Sequence, residues 1–174
     1  IDHSPGYITD SETLFMVTEC EDCCGRDGTT SLFRYDGAFW DRVFCSTTYA
    51  ADFLPAASGE QIGLVQVSPD LSDTNTLFVA NTTFDIFMSQ DAGCSWERLG
   101  YPCEEIDITS WAVIDEDTIY VGSDGVVYQT ERHGSRKWDE CELPTAAGWV
   151  RYFAFADDFI LVGDDESQVF ICEI

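Results

Sequence analysis

The feature that most constrains the fold of this chain is an internal repeat of about 42 residues. The sequence TLFVA at residues 76–80 returns as TIYVG at 118–122 and as FILVG at 159–163. A second phrase keeps the same step, and its three copies lie at residues 86–89, 127–130 and 169–172. Two independent phrases that share one period indicate that the chain repeats a structural unit.

The repeated unit is predicted to consist of short β-strands. Its apolar segments are rich in Val, Ile, Phe, Tyr and Thr and are bounded by Gly, Asp, Asn and Ser. In the second copy the predicted strands lie at residues 62–67, 76–80, 84–89 and 96–99. Four strands in about 42 residues is the size of one β-propeller blade. We therefore predict an all-β chain that forms a single β-propeller domain over residues 1–174, with about four blades near 6–48, 60–103, 106–143 and 149–174.

The last predicted blade is incomplete, because the sequence stops at Ile174, just after the third strand of that blade. The inner strand of the first blade is expected near residues 6–9, which leaves only residues 1–5 to complete the last blade from the other terminus. That segment is too short for an outer strand, and an unpaired strand edge is normally covered. Two explanations stay open: the chain is a fragment of a longer propeller, or another subunit supplies the missing strand.

A turn motif lies between the third and fourth predicted strands of the second blade. Residues 89–96 read SQDAGCSW and match S-x-D-x-G-x-S/T-W through Ser89, Asp91, Gly93, Ser95 and Trp96. This motif resembles the Asp-box (BNR) repeat of sialidases, sortilin-type receptors and secreted bacterial propellers. The third blade carries a degenerate version that ends in Trp138, and the first blade a shortened turn before Trp40.

The residues of the motif suit a structural role. We expect Asp91 to accept hydrogen bonds from turn amides and Gly93 to adopt a left-handed backbone. We expect Trp96, and with it Trp40 and Trp138, to pack in the layer between neighbouring blades. The resemblance implies a turn on the rim of the propeller, away from any catalytic pocket, so the motif does not imply hydrolysis.

Catalytic residues of a sialidase-like glycosidase are not found in the sequence. Such a site needs an arginine cluster that grips a carboxylate, a tyrosine nucleophile with a glutamate, and an acid carboxylate. The seven arginines do not recur at one inner-strand position, and only Arg151 falls on a predicted inner strand. We therefore predict that the chain is not an enzyme.

The charge of the chain disfavours nucleic acid and anionic membranes as partners. Asp and Glu number 33 against 8 Lys and Arg, a formal net charge of −25. A nucleic-acid binder needs a basic face, which so few cations cannot easily form. No stretch approaches the roughly 20 apolar residues of a membrane-spanning helix. Clustered acids could instead hold calcium, and the candidate ligands are Asp115, Asp117, Asp164 and Asp165.

Eight cysteines favour disulfide bonds in an oxidising compartment over a metal site, since the chain has only two histidines. The candidates are Cys20, Cys23, Cys24, Cys45, Cys94, Cys103, Cys141 and Cys172. We expect Cys45 to pair with one of the first three and Cys103 with Cys141, while Cys94 and Cys172 could bond between subunits. An extracellular or cell-surface location follows, with the periplasm as an alternative, and Asn81 heads a glycosylation sequon on a predicted loop.

These features predict a secreted, non-enzymatic propeller scaffold for extracellular assembly or binding, which associates with itself by adding a strand to its incomplete blade. The predicted partners are proteins, either copies of the chain or the remaining blades of a larger one, and a glycan is a further candidate. Two alternatives stay open. The chain could be a fragment of an Asp-box glycoside hydrolase, or a calcium-dependent adhesion domain.

Overall fold

A computed structural model gives the architecture for residues 2–3, 13–20, 29–45, 62–68, 74–81, 85–100, 106–115, 117–131, 138–144, 147–156 and 159–173. These residues form β-strands in four antiparallel sheets, and in each sheet the strands lie side by side in chain order. Within the described ranges, no helix has the length and apolar character that crossing a membrane requires.

The first three sheets have four strands each, and the fourth has three. The first sheet contains β1 (Asp2–His3), β2 (Leu14–Cys20), β3 (Thr29–Tyr35) and β4 (Trp40–Cys45). The second contains β5 (Ile62–Val67), β6 (Leu77–Asn81), β7 (Ile86–Ser89) and β8 (Glu97–Arg98). The third contains β9 (Ser110–Val113), β10 (Ile119–Gly122), β11 (Val126–Thr130) and β12 (Asp139–Glu142). The fourth contains β13 (Val150–Ala156), β14 (Phe159–Asp164) and β15 (Val169–Glu173).

The repeated phrases occupy equivalent places in successive sheets. Leu77, Ile119 and Ile160 each lie in the second strand of their sheet and are fully buried. Their partners in the third strand are Ser89, Thr130 and Cys172, respectively. The register of the second repeated phrase therefore follows that of the first, as the sequence period requires.

Side chains that alternate along each strand fill the layers on its two sides. The layer between the first and second sheets includes Phe15, Leu32 and Leu77. The next two layers are built in the same way, with Phe78 against Ile119 and Tyr120 against Ile160 as representative members. The middle strands of the second and third sheets thus contribute to two cores, which explains why their sequences are apolar at consecutive positions.

The first strands of the sheets also contact one another in order, β1 with β5, β5 with β9, and β9 with β13. Sheets that meet along their first strands and pack face to face are the successive blades of a β-propeller. The predicted all-β propeller of about four blades, with three strands in the last, is confirmed. The innermost strand of the first blade is β1 at Asp2–His3, whereas it was expected near residues 6–9, which lie outside the described residues.

Candidate binding site at the propeller axis

An open cleft of about 430 Å³ lies where the second, third and fourth blades converge. It is lined by Gly63 and Leu64 of β5, by residues 107–109 just before β9, and by Trp149 and Arg151 at the start of β13. All three segments lie at the beginning of a first strand. Because these strands run in the same direction in successive blades, their beginnings meet at one end of the axis.

The backbone around Trp149 is fixed by the loops of two blades. Its N–H donates to the Asp165 carboxylate at 2.9 Å, and its carbonyl accepts from the Asp165 N–H at 3.1 Å. On the other side, Trp149 forms an isolated β-bridge with Asp124 of the third blade. The half-buried indole is therefore held on a rigid support at the edge of the cleft.

The strand that follows is tied to the third blade by hydroxyl groups. Thr109 and Ser110 both donate to the Val150 carbonyl, at 2.6 and 2.8 Å. Gly122 permits this close approach, since a Cβ there would lie 2.5 Å from the Ser110 hydroxyl and from a Val150 methyl carbon. Substitution of Gly122 would push the two blades apart, and the cleft lies directly beside this contact.

The charged groups of the cleft are Arg151 and Asp107, both exposed. The guanidinium of Arg151 lies 3.6 Å from the Asp165 carboxylate, with much of both side chains in contact with water. An exposed ion pair of this kind holds the guanidinium only weakly, so its donors can turn to a ligand. The cleft can therefore offer an aromatic surface, an apolar side chain and a hydrogen-bond donor to one bound segment.

Two of the calcium candidates lie beside the cleft, but both carboxylates serve the backbone. Asp164 is buried and accepts from the N–H groups of Gly148, Glu166 and Gln168 at 2.7 to 3.0 Å. Burial alone would raise the pKa of Asp164, but these backbone donors outweigh it and lower the pKa below the usual range. The other candidates, Asp115 and Asp117, lie in the β9–β10 turn, where Asp115 accepts from the N–H groups of Asp117 and Thr118. No group of three or more metal-ligating side chains occurs among the residues that the structure describes.

The turn at residues 89–96, which resembles an Asp-box, lies on the other end of the second blade, between β7 and β8. Asp91 accepts from the Ser95 N–H at 2.7 Å and from the hydroxyls of Ser95 and Ser89 at 2.6 and 2.8 Å. The Ser95 hydroxyl has the largest effect in lowering the pKa of Asp91. The Ser89 hydroxyl also accepts from the Gly93 N–H at 2.8 Å, and Gly93 has a φ of 92°. These contacts close the turn around one carboxylate.

Two of the three predicted packing tryptophans lie between blades. Trp96 stacks edge-on against Phe44 and donates to the Val43 carbonyl of the first blade at 2.8 Å. Trp138 makes the equivalent contact with the second blade through the Gly100 carbonyl at 2.9 Å. Trp40 does not follow this pattern: it lies on the face of the first blade that points away from the second, and it packs against Tyr35. The shortened turn before Trp40 does not carry it into an inter-blade layer.

The cysteine predictions fall largely outside the described side chains. Cys23, Cys24 and Cys103 lie outside the described residues, and Cys20 and Cys172 lie on strands without a described side chain. Cys45 is buried at the end of β4, Cys141 is exposed on β12, and Cys94 is an exposed free thiol. Among the described side chains no disulfide joins two cysteines. The proposed pairings therefore stay predictions.

The structure places Asn81 at the end of β6 rather than on a loop. Its side chain is buried, its amide oxygen accepts from the Asp85 N–H at 2.9 Å, and its amide nitrogen donates to the Asp85 carboxylate at 3.1 Å. Asp85 also pairs with Arg98 of β8. The amide is therefore used to close the loop after β6, and glycosylation at this position stays a prediction.

Trp149, Leu64 and Asp107 were not singled out from the sequence. Their place in the repeat could have identified them. They lie at or within a few residues of the start of the first strand in three successive blades. The motif that stands out in the sequence is instead the turn at residues 89–96, which lies away from the axis. Arg151 was noted as an inner-strand arginine, and the structure brings it into the cleft.

Comparison with known proteins supports the fold without assigning a family. No family model matches the chain, and no curated protein sequence matches it. Solved structures that resemble it include β-propellers. The computationally designed Ika4 protein gives a TM-score of 0.55 at 13% identity over 92% of this chain and 85% of its own. YCF48 bound to D1 peptide gives a TM-score of 0.57 at 11% identity over 91% of this chain and 50% of its own. YCF48 from Cyanidioschyzon merolae gives a TM-score of 0.51 at 12% identity over 89% of this chain and 48% of its own.

These comparisons define the chain as a partial β-propeller. It spans about half the length of the two YCF48 structures that it matches. At such low identities the likeness shows the fold alone.

Proposed function

We propose that this chain is a non-enzymatic scaffold of the Asp-box type that acts outside the cell and binds a protein partner in the cleft at its axis. The observation that carries the proposal is the convergence of three blades on one open cleft that contains Trp149, Arg151 and Leu64. An aromatic ring and an aliphatic side chain beside a few placed polar groups are the usual composition of a binding site. The YCF48 structure with its D1 peptide supports the idea that a propeller of this shape can hold a peptide.

The charge of the chain indicates what kind of partner it would attract. At a net charge of −25, the surface attracts basic segments from a distance and repels acidic ones. The exposed Asp107 carboxylate gives the cleft its own acceptor for a cation. We infer a partner segment with an apolar or aromatic side chain for the cleft and basic residues around it, which associates faster at low salt.

Absence of catalysis is part of the proposal. The arginine that reaches the cleft, Arg151, has Asp165 as its neighbour, whereas a carboxylate-gripping site needs several arginines directed at one ligand. The calcium-dependent alternative is not favoured either, because Asp115 and Asp164 already accept backbone N–H groups. The extracellular location rests on the eight cysteines of the sequence.

A peptide selection tests the proposal. The chain is immobilised, peptides are selected from a random library, and their affinities are measured for native chain, Arg151→Gln and the matched control Arg42→Gln, an exposed arginine of the first blade. We expect selected peptides to be basic with an apolar residue, to lose about tenfold in affinity with Arg151→Gln, and to keep it with Arg42→Gln. Failure to enrich any sequence, or equal binding to both variants, would contradict the proposed site.

A further inference from the structure

We propose that the free side of the fourth blade is a docking surface for the first blade of a second copy of this chain, so that two copies join head to tail into an eight-bladed ring. This inference extends the proposed scaffold role to copies of the chain itself. Its failure would leave partner binding at the axial cleft untouched, because the two surfaces share no residue.

The free side of the fourth blade carries exposed apolar side chains. By register, Tyr152, Ala154, Leu161, Val169 and Ile171 lie on the side of the sheet opposite to the core that contains Ile160. We call these five residues the trailing face. Tyr152, Val169 and Ile171 are 72%, 68% and 66% exposed. None of the five carries a charge, in a chain with 33 acidic residues.

The same positions are covered in the second blade. Val169 corresponds to Ile86 in the second blade, and Ile171 corresponds to Met88. Ile86 and Met88 are only 0% and 4% exposed, because the third blade packs on them. The trailing face is therefore an inter-blade surface that has the composition of its equivalents but no blade against it.

The first blade presents the matching surface. Leu14 occupies the position of Leu77 and Ile119, whose side chains face the preceding blade, and Phe33, Tyr35 and Trp40 lie on the same side of the sheet. We call these four residues, with Phe39 of the adjoining turn, the leading face. Phe39 and Trp40 are 73% and 44% exposed. This face too has aromatic side chains in contact with water.

Continuity with the existing interfaces supports a second copy as the occupant, because every copy carries a leading face. Three times within the chain, the trailing side of one blade packs on the leading side of the next. A ring closed by this chain alone would bury the trailing face on its own first blade, yet Val169 and Ile171 are exposed. A second copy supplies the required leading face, and two copies give eight blades, within the range of closed propellers, about four to eight. Such a head-to-tail contact is heterologous and stops growing only when the ring closes.

Sedimentation velocity over a range of concentrations tests the proposal. We expect the native chain to form a dimer that strengthens between 0.15 M and 1 M NaCl, since salt screens the repulsion between two copies of charge −25. The trailing-face variant Val169→Asn/Ile171→Gln and the leading-face variant Phe39→Gln/Trp40→Gln should each weaken the dimer at least about tenfold. Gln90→Ala, an exposed change on neither face, should leave it unaltered.

A mixture of the two variants tests the polarity of the contact. Each variant alone has every interface blocked, but in the mixture one trailing face and one leading face stay native, so a one-to-one complex should return. This recovery also shows that both variants are folded. The proposal is overturned if the native chain stays monomeric at all concentrations and salts, or if both variants dimerise like the native chain. It is also overturned if the leading-face variant alone still dimerises, since that would mean that trailing faces pair with each other.

Discussion

The second and fourth blades derive from one repeat, but neighbours cover the second on both sides and the fourth on only one. In β6 of the second blade all five residues from Leu77 to Asn81 are buried. In β14 of the fourth blade buried and half-buried residues alternate from Phe159 to Asp164. The two strands have similar apolar sequences, so the difference in burial comes from the adjacent blade.

This comparison explains why the sequence shows apolar runs rather than an alternating pattern. An antiparallel strand with one wet face alternates, whereas a strand that contributes to two cores is apolar throughout. The fourth blade keeps the two-sided composition in Leu161, Val169 and Ile171 although its trailing side is exposed. Its sequence is therefore suited to a neighbour on both sides.

The largest difference between the two blades is expected at the residue that follows the buried repeat position, Leu77 in the second blade and Ile160 in the fourth. Phe78→Ala removes a fully buried ring from the layer between the second and third blades and should lower the free energy of unfolding by about 3 to 5 kcal/mol. Leu161→Ala, at the equivalent half-buried position, should lower it by about 1 kcal/mol in the monomer. Urea denaturation at high dilution measures both, and equal losses would contradict the asymmetry.

A smaller loss is expected from a glycine at the inter-blade contact. A Cβ at Gly93 would lie 2.7 Å from the Val43 Cβ at a φ of 92°, so Gly93→Ala combines backbone strain with a clash and should cost about 2 to 3 kcal/mol. The control is Gly125→Ala, where φ is 66° but the nearest atom, the Ala147 carbonyl oxygen, is 3.6 Å away. That change should cost only about 1 kcal/mol. A Gly93→Ala chain as stable as Gly125→Ala would refute the close contact.

The two turn carboxylates give the next comparison. Asp164 of the fourth blade is buried and reaches across to Gly148, whereas Asp91 of the second blade closes only its own exposed turn. Asp164→Asn should therefore destabilise the chain more than Asp91→Asn. For Asp91→Asn we expect a loss of about 1 kcal/mol in the free energy of unfolding, the typical net value of a hydrogen bond. Thermal melting at pH 7 ranks the two. The reverse order would show that the contact of Asp164 with Gly148 contributes less than the turn closed by Asp91.

The smallest effect is the pH dependence of these carboxylates. Both pKa values are lowered in the folded state, so the stability that each contributes is complete above the unfolded value of about 3.9 and is lost as pH falls through the folded pKa. We expect melting temperatures to decline below about pH 4 and the decline to be shallower in Asp164→Asn. An identical acid profile in that variant would argue against ionised Asp164 as a structural acceptor.

The repeat was sufficient to predict the blades, because two phrases at one period fix which residues share a register position. Strand 62–67 was predicted with its observed bounds. The sequence could not show that Trp40 would lie on an exposed face of its blade. Trp40 has a motif position similar to those of Trp96 and Trp138, but whether it is covered depends on which blade lies beside it. The cleft was missed for the same reason: Leu64, Asp107 and Trp149 are far apart in sequence and meet only when blades converge.

Hydrogen exchange of β7 and β15 tests the central claim most directly, because these two strands are equivalent third strands of the complete and the open blade. At a dilution where the chain is monomeric, we predict slow exchange throughout β6, β7 and β14, and fast exchange at the amides of β15 that point away from β14. Exchange in β15 as slow as in β7 would contradict the account, since it would mean that a further strand already pairs with the edge of the fourth blade within one chain.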